Sequence, residues 1–268
     1  MTSEELHQAR QQRCPPLGAG GITAFIAAVG YATLAPQPPW DLPALAALAP
    51  PESEPVLVAE LEAAIAAHSV CEIEGLGPAL VYMPPDLFAD AYLCRAGRLP
   101  ADRRDLPAAA GRPARPPSLP HASPLAAEIA ARLWAAPPLT ASQLRDAIGP
   151  QRTSILAVLA AGRELVRELQ MLRVGGSRAD PLWAPASFIF PELRLALEHT
   201  SRDTAAAALV SKYLWLMVAA TEDDAAAFFG PLFSLSRLRG LLGALVAAGA
   251  LLPASVDGRP GYQVAAAP

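Results

Sequence analysis

The amino-acid sequence predicts a mainly α-helical chain with small β-hairpins, arranged as helix-plus-hairpin units in tandem. Three observations predict it. Apolar residues recur at helical spacing in many short segments. Two stretches of the C-terminal half share one order of elements. A Pro-, Ala- and Arg-rich segment, Gly97–Ser123, has no sustained hydrophobic period and separates that half from the N-terminal third.

In chain order, Met1–Arg13 is polar and mixed in charge, without the basic-then-apolar layout of a secretory signal. Ile22–Gly30 and Leu42–Leu48 are candidate helices, and Val56–His68 is a third, with Val58, Leu61 and Ile65 on one face. Val70–Ile73 and Ala79–Met83 pair as a hairpin, followed by a helix at Asp86–Leu93. Beyond the linker, Leu125–Ala135 is apolar-periodic, and Thr140 with Gln143 three residues on reads as a helix cap. Next come an amphipathic run, Ser154–Leu172, a Gly-rich turn region, Arg173–Pro181, and a strand-like Leu182–Phe190. The last stretch repeats this order. Helix Thr204–Ala219 precedes a short helix opened by Thr221 with acids in its first turn. Leu235–Ala248 ends at Gly249, and Leu251–Val256 and Tyr262–Ala265 flank the turn Asp257–Gly261. Helix, short helix, longer helix and hairpin is the order of a winged helix. The expected units are 1–96, a linker at 97–123, 124–200 and 201–268, each small enough to need packing on its neighbours.

The 268 residues suffice for a sizeable core and exclude a disulfide-stapled miniature. Cys14, Cys71 and Cys94 are isolated thiols, and the four histidines show no ligand spacing, so neither a metal nor a cofactor is expected. The apolar stretches Ala205–Ala220 and Leu238–Ala254 are interrupted by Lys212 and Arg239, and a soluble cytoplasmic protein without a membrane partner is expected. Most aromatics, Trp215 among them, sit in apolar periodic segments and read as core. Trp40, in a Pro-rich turn, reads as a lid on the first core or as a stacking surface. The net charge of −4 argues mildly against nucleic acid, but it is unevenly spread. Arg95–Arg115 carries +4 and Arg145–Arg178 carries +3, whereas acids concentrate at Glu52–Glu74 and Glu222–Asp224. Lys212 is the one lysine.

Several pieces in this order resemble the AlkZ/YcaQ-like winged-helix DNA glycosylases, which excise alkylated or crosslinked bases. Gln8-Ala-Arg10 and the helix ending Val29-Gly-Tyr31 are similar to the family's opening helix and its approach to the active-site segment. Leu57–Leu80 with Val81–Leu87 is similar to its first wing and the following helix. Thr140–Leu144 and Arg163–Val174 resemble the middle winged helix, and Asp224–Phe229, Arg237–Leu245 and Val256–Gly258 the third. The resemblance implies catalysis by two polar residues around one apolar residue, a carboxamide with a second carboxamide or a carboxylate, that orient the attacking water. Here the segment reads Gly30-Tyr-Ala-Thr-Leu-Ala-Pro-Gln37, and neither Thr33-Leu34-Ala35 nor Ala35-Pro36-Gln37 retains both polar groups. The family's Arg-Gly-Thr-Leu-His run appears as Gly77-Pro-Ala-Leu-Val81, without the arginine and histidine. The chain also stops soon after the third hairpin, where family members continue into a β-rich domain.

The expectation is a tandem winged-helix protein that binds double-stranded or damaged DNA without excising bases. Phosphate contacts are expected from Arg163, Arg167, Arg173 and Arg178 of the middle unit and from Arg237, Arg239 and Arg259 of the third. Alternatively, Glu164 and Glu168 hold Arg163 and Arg167 in local ion pairs on a solvated helix face, and Arg237 and Arg239, two residues apart, point in different directions. Two other functions stay open. One is an active glycosylase using Gln37 or Asp41; the other is a protein–protein scaffold, which suits the acidic isoelectric point.

Overall fold

Three stretches of the chain repeat one order of elements in the computed structural model, which describes residues 1–18, 20–37, 41–48, 50–77, 79–96, 122–193 and 199–265. The first stretch contains α1 (Ser3–Arg13), α2 (Gly21–Val29), 3-10 turns at Leu45–Ala47 and Pro51–Ser53, α3 (Glu54–Ala66), the hairpin β1 (Cys71–Leu76) and β2 (Ala79–Met83), and α4 (Pro85–Ala96). The middle stretch contains α5 (Pro124–Ala135), β3 (Leu139–Thr140), α6 (Ala141–Ile148), α7 (Ile155–Arg167), β4 (Met171–Gly176), β5 (Pro181–Pro185) and α8 (Ala186–Ile189). The third contains α9 (Arg202–Met217), β6 (Ala220–Thr221), α10 (Glu222–Phe229), α11 (Leu235–Ala247), β7 (Leu251–Val256) and β8 (Arg259–Val264). The middle and third sheets are antiparallel, in the orders β3-β5-β4 and β6-β8-β7. In the first stretch Ala32 takes the third-strand place, exchanging backbone hydrogen bonds of 3.0 and 2.8 Å with Tyr82.

Local chemistry explains the repetition. Ser123, Thr140 and Ser154 cap α5, α6 and α7, and Ser201, Thr221 and Ser234 cap α9, α10 and α11; each side-chain oxygen accepts from the N–H three residues on. Gln143 and Asp224 complete capping boxes. The long helix of every stretch ends alike, on a residue in the left-handed region: His68 at φ 57°, Leu169 at φ 57° and Gly249 at φ 73°. Each makes the paired bonds of a Schellman ending, with Ser69, Gln170 and Ala250 reaching back to Ala64, Leu165 and Leu245. Only one of the three is a glycine, so two of these endings give no sequence signal. Asp257 and Gly258, both at positive φ, close the third hairpin as a two-residue turn.

Other boundaries shift for similar reasons. Leu42–Leu48 forms only a single 3-10 turn, because Pro43 and Pro50 flank too few residues for a helix. The run Ser154–Leu172 is split: α7 stops at Arg167, and Met171 and Leu172 already belong to β4. Leu182–Phe190 divides likewise, with β5 ending at Pro185 and α8 following. Trp40, most of the 97–123 linker and Pro78 of the Gly77–Val81 run lie outside the described residues. Among the described residues no helix is long and apolar enough to cross a membrane, and no cluster of His, Cys, Asp or Glu side chains is placed to hold a metal ion.

One core joins the first and third stretches and takes in Leu172, Val174, Ala184 and Phe190 of the middle one. Tyr31 packs edge-on against Phe228 at 5.4 Å between ring centres, Phe228 stacks on Tyr213 at 4.7 Å, and the Tyr31 hydroxyl donates to the Leu209 carbonyl at 3.0 Å. The middle stretch has a separate core around Leu133, Leu144, Val158 and Trp183. Trp183 lies so close to α7 that a Cβ on Gly162 would come within 2.2 Å of its ring.

Asp90, in α4, is half-buried and one helical turn after Asp86. Burial first, and the like charge of Asp86 second, push its carboxyl up to about 6. A folded pKa above the unfolded value of about 3.9 means that stability from the protonated form is full below about pH 4 and lost as pH rises through about 6. Asp90→Asn is therefore expected to leave the melting temperature unchanged at low pH and to raise it above pH 6, in thermal melts recorded across pH.

Candidate nucleic-acid interface

The arginines of the middle stretch meet the acids of the first. Arg173, in β4, is 5% exposed, and its Nε and Nη2 donate to Glu72 at 2.8 and 2.7 Å. Nη2 also reaches Glu62 at 3.1 Å, and Nη1 donates both to Glu62 and, at 3.2 Å, to the Gly176 carbonyl. Burial alone would lower its pKa, but hydrogen bonds and charge from Glu72 and Glu62 outweigh that and hold the guanidinium more firmly charged than usual. Arg173 was expected to contact phosphate; its donors are instead committed inside the protein. Arg178, exposed near the β4–β5 turn, donates to the Tyr82 hydroxyl at 2.7 Å. Arg163 and Arg167 share Glu74, at 3.7 and 3.4 Å, while their side chains stay 60% and 63% exposed.

Neither of the local acids pairs with these two arginines in the structure. Glu164 accepts from the Ser123 N–H and hydroxyl at 2.6 and 2.8 Å, anchoring the start of α5. Glu168 pairs with Arg95 of α4, which also donates to the Pro231 carbonyl and so ties all three stretches together. The four middle arginines thus converge on the β1–β2 hairpin and α3, where their partners are Glu62, Glu72, Glu74 and Tyr82.

Arg237 and Arg239 pair within the third stretch. Arg237 reaches Asp203 at 2.9 Å, and Arg239 reaches Glu222 at 2.7 Å while remaining 60% exposed. Arg259 has no hydrogen-bond partner among the described residues; it lines a cleft of about 370 Å³ with Asp41, Arg10, Tyr213, Asp224 and Asp257.

The two candidate catalytic side chains are not brought together. Gln37 is exposed. Asp41 sits in the cleft wall, bound by Arg10 at 2.6 Å and by His7 at 3.4 Å; burial would raise its carboxyl, but these partners hold it below the usual range. Thr33, which stands where one register places a catalytic polar group, is 1% exposed; its hydroxyl has no hydrogen-bond partner among the described residues, while its backbone bonds Pro43 and Leu45 at 2.9 Å each. A hydroxyl enclosed in this way cannot orient water for attack on a sugar.

A family model described as DNA glycosylase AlkZ-like matches residues 53–268. The chain belongs to the AlkZ-like DNA glycosylase family. Among solved structures, Streptomyces sahachiroi DNA glycosylase AlkZ matches with a TM-score of 0.58 at 15% identity, over 98% of this chain and 70% of that one. That likeness speaks for a shared fold. A search of curated proteins finds no match. The AlkZ-like family match begins after Thr33, Gln37 and Asp41.

Sequence reasoning missed Arg10, Tyr213, Asp224 and Asp257 as cleft residues, since α1, α9, α10 and the third hairpin are far apart in the chain. The spacing of Arg10 and Arg13 was the available signal, because residues three apart share a helix face.

Removing Arg173 leaves Glu62 and Glu72 facing each other without a counter-charge. Arg173→Ala is expected to cost about 3–5 kcal/mol in chemical denaturation, whereas Arg163→Ala, whose pair is largely solvated, changes stability by less than about 0.5 kcal/mol.

Proposed function

We propose that this AlkZ-like chain is a duplex-DNA-binding protein built of three winged helices, at 1–96, 124–200 and 201–268, and that it does not excise bases. The observation that carries the reading is the segment after α2. Its Thr33 is enclosed, Gln37 is exposed, and Asp41 is held by Arg10 and His7, so no carboxamide–carboxylate pair faces a common point among the described residues. The threefold order of helix, short strand or bridge, longer helix and hairpin supports winged helices, with α7 and α11 as the groove-facing helices. Arg163, Arg167 and Arg239, more than half exposed, and the exposed Arg178 and Arg259 are the phosphate contacts; Arg237 stands beside them in its pair with Asp203. Arg173 is left out because of its burial.

A second reading rests on the cleft. The Oδ1 of Asp41 makes no hydrogen bond among the described residues, and Asp41 faces a volume large enough for a small ligand. Base excision by Asp41 is the activity it supports.

Two experiments separate these readings. A labelled duplex titrated with protein at increasing salt is expected to bind at micromolar concentration, with log affinity falling by about 0.9 per phosphate contact against log salt. Salt-independent or absent binding would sink the DNA-binding reading. Duplex carrying N-alkylated bases, incubated with the protein and then treated with alkali, is expected to stay uncut. Cleavage that disappears in Asp41→Asn would instead establish the glycosylase.

A further inference from the structure

Two cations differ from the arginines that pair with carboxylates. Arg95, Arg163, Arg167, Arg173, Arg237 and Arg239 each face a carboxylate. Arg13 and Lys212 instead donate to backbone carbonyls, Arg13 to Trp215 and Lys212 to Ala28 at 2.6 Å. Neither has a carboxylate within ion-pair distance among the described residues. Both lie over one aromatic ring: the Arg13 Cζ is 5.6 Å and the Lys212 Nζ is 4.4 Å from the Trp215 ring centre. Trp215 is itself only partly buried. Lys212 and Trp215 are three apart on α9, and Arg10, three before Arg13 on α1, is already committed to Asp41 and the Met217 carbonyl.

The position of the cluster is fixed by packing. The aliphatic stem of Lys212 runs so close to Gly30 that a Cβ there would lie 2.6 Å from Cε, which seats the amine at the C-terminal end of α2. The segment beginning at Tyr31 starts beside it. Partial burial lowers the pKa of both cations, and the negative charge of Asp86 only partly restores that of Lys212. Each cation rests on a carbonyl at a helix C-terminus, a placement that favours positive charge, and each keeps further N–H donors that no described residue takes up, so both can still receive an anion from outside.

We infer that Arg13, Lys212 and Trp215 form a phosphate-binding site that holds a backbone phosphodiester of DNA beside Gly30. This rests on the DNA-binding reading above and adds to it a contact that none of the winged-helix arginines supplies. The guanidinium and the ammonium share the single negative charge of that phosphodiester, and the indole packs against both.

Lys212 is the one lysine of the chain, which makes a direct test possible. An amine-selective acylating reagent also modifies the Met1 α-amine, so mass spectrometry of the Lys212 peptide is used to read that side chain alone. Saturating duplex is expected to slow acylation of Lys212 about tenfold, while 10 mM inorganic phosphate leaves it within about twofold. Equal protection by inorganic phosphate would assign the site to free phosphate rather than DNA, and unchanged acylation with duplex bound would overturn the site. In the salt titration, Lys212→Gln and Arg13→Gln are each expected to reduce the slope, by about 0.9 when both are replaced, and Lys212→Arg to keep it. Wild-type slopes in both glutamine variants would overturn this inference alone, whereas failure of the wild type to bind would overturn the DNA-binding reading with it.

Discussion

The buried guanidinium of Arg173 between Glu62 and Glu72 sets the constraint that the rest of the molecule obeys. A charge only 5% exposed must keep its partners, so β4 has to lie against α3 and β1, and the middle stretch has one place to dock. Arg178 on Tyr82, Arg163 and Arg167 near Glu74, and Arg95 on Glu168 follow along the same seam. The core shared by the first and third stretches then closes the arrangement from the other side, through Tyr31, Tyr213 and Phe228. Apolar packing also holds the middle stretch, since Leu172, Val174 and Phe190 enter the same core and Phe190 packs on Phe88 at 5.7 Å between ring centres.

This explains the uneven charge along the chain. Glu62, Glu72 and Glu74 of the acidic stretch meet Arg163, Arg167 and Arg173 of the basic stretch along one seam. A basic segment in a sequence announces positive charge but not the partner that neutralises it. Reading that segment as a DNA footprint therefore overstated it: Arg173 is wholly internal, while Arg163 and Arg167 keep most of their side chains in solvent. Arg13 lay in a polar opening helix and Lys212 with Trp215 in an apolar one, so no pattern in the sequence joined them.

Much of the fold was legible. Thr140 with Gln143, Thr221 with its acids, and the Asp257-Gly258 turn are local chemistry, and local chemistry is written in adjacent residues. What could not be read depends on distant partners or on segments too short for a period. The two-residue strands β3 and β6 have no alternation to detect, and the bridge at Ala32 exists only because Tyr82 comes beside it. The left-handed endings at His68 and Leu169 lack the glycine that marks the one at Gly249. Within the candidate site, the departure from the family's catalytic pattern was visible in the residues themselves, but the enclosure of Thr33 and the capture of Asp41 by Arg10 needed the fold.

The seam between the first and middle stretches depends on the interaction of Arg173 with its carboxylates and not merely on their proximity. A double-mutant cycle on Arg173→Met and Glu72→Gln, measured by chemical denaturation, tests it most directly. The expected result is a coupling of about 2 kcal/mol, with the double variant more stable than the sum of the single losses implies. Losses that add to within about 0.5 kcal/mol would show that the two side chains act independently, and the seam would then need another cause.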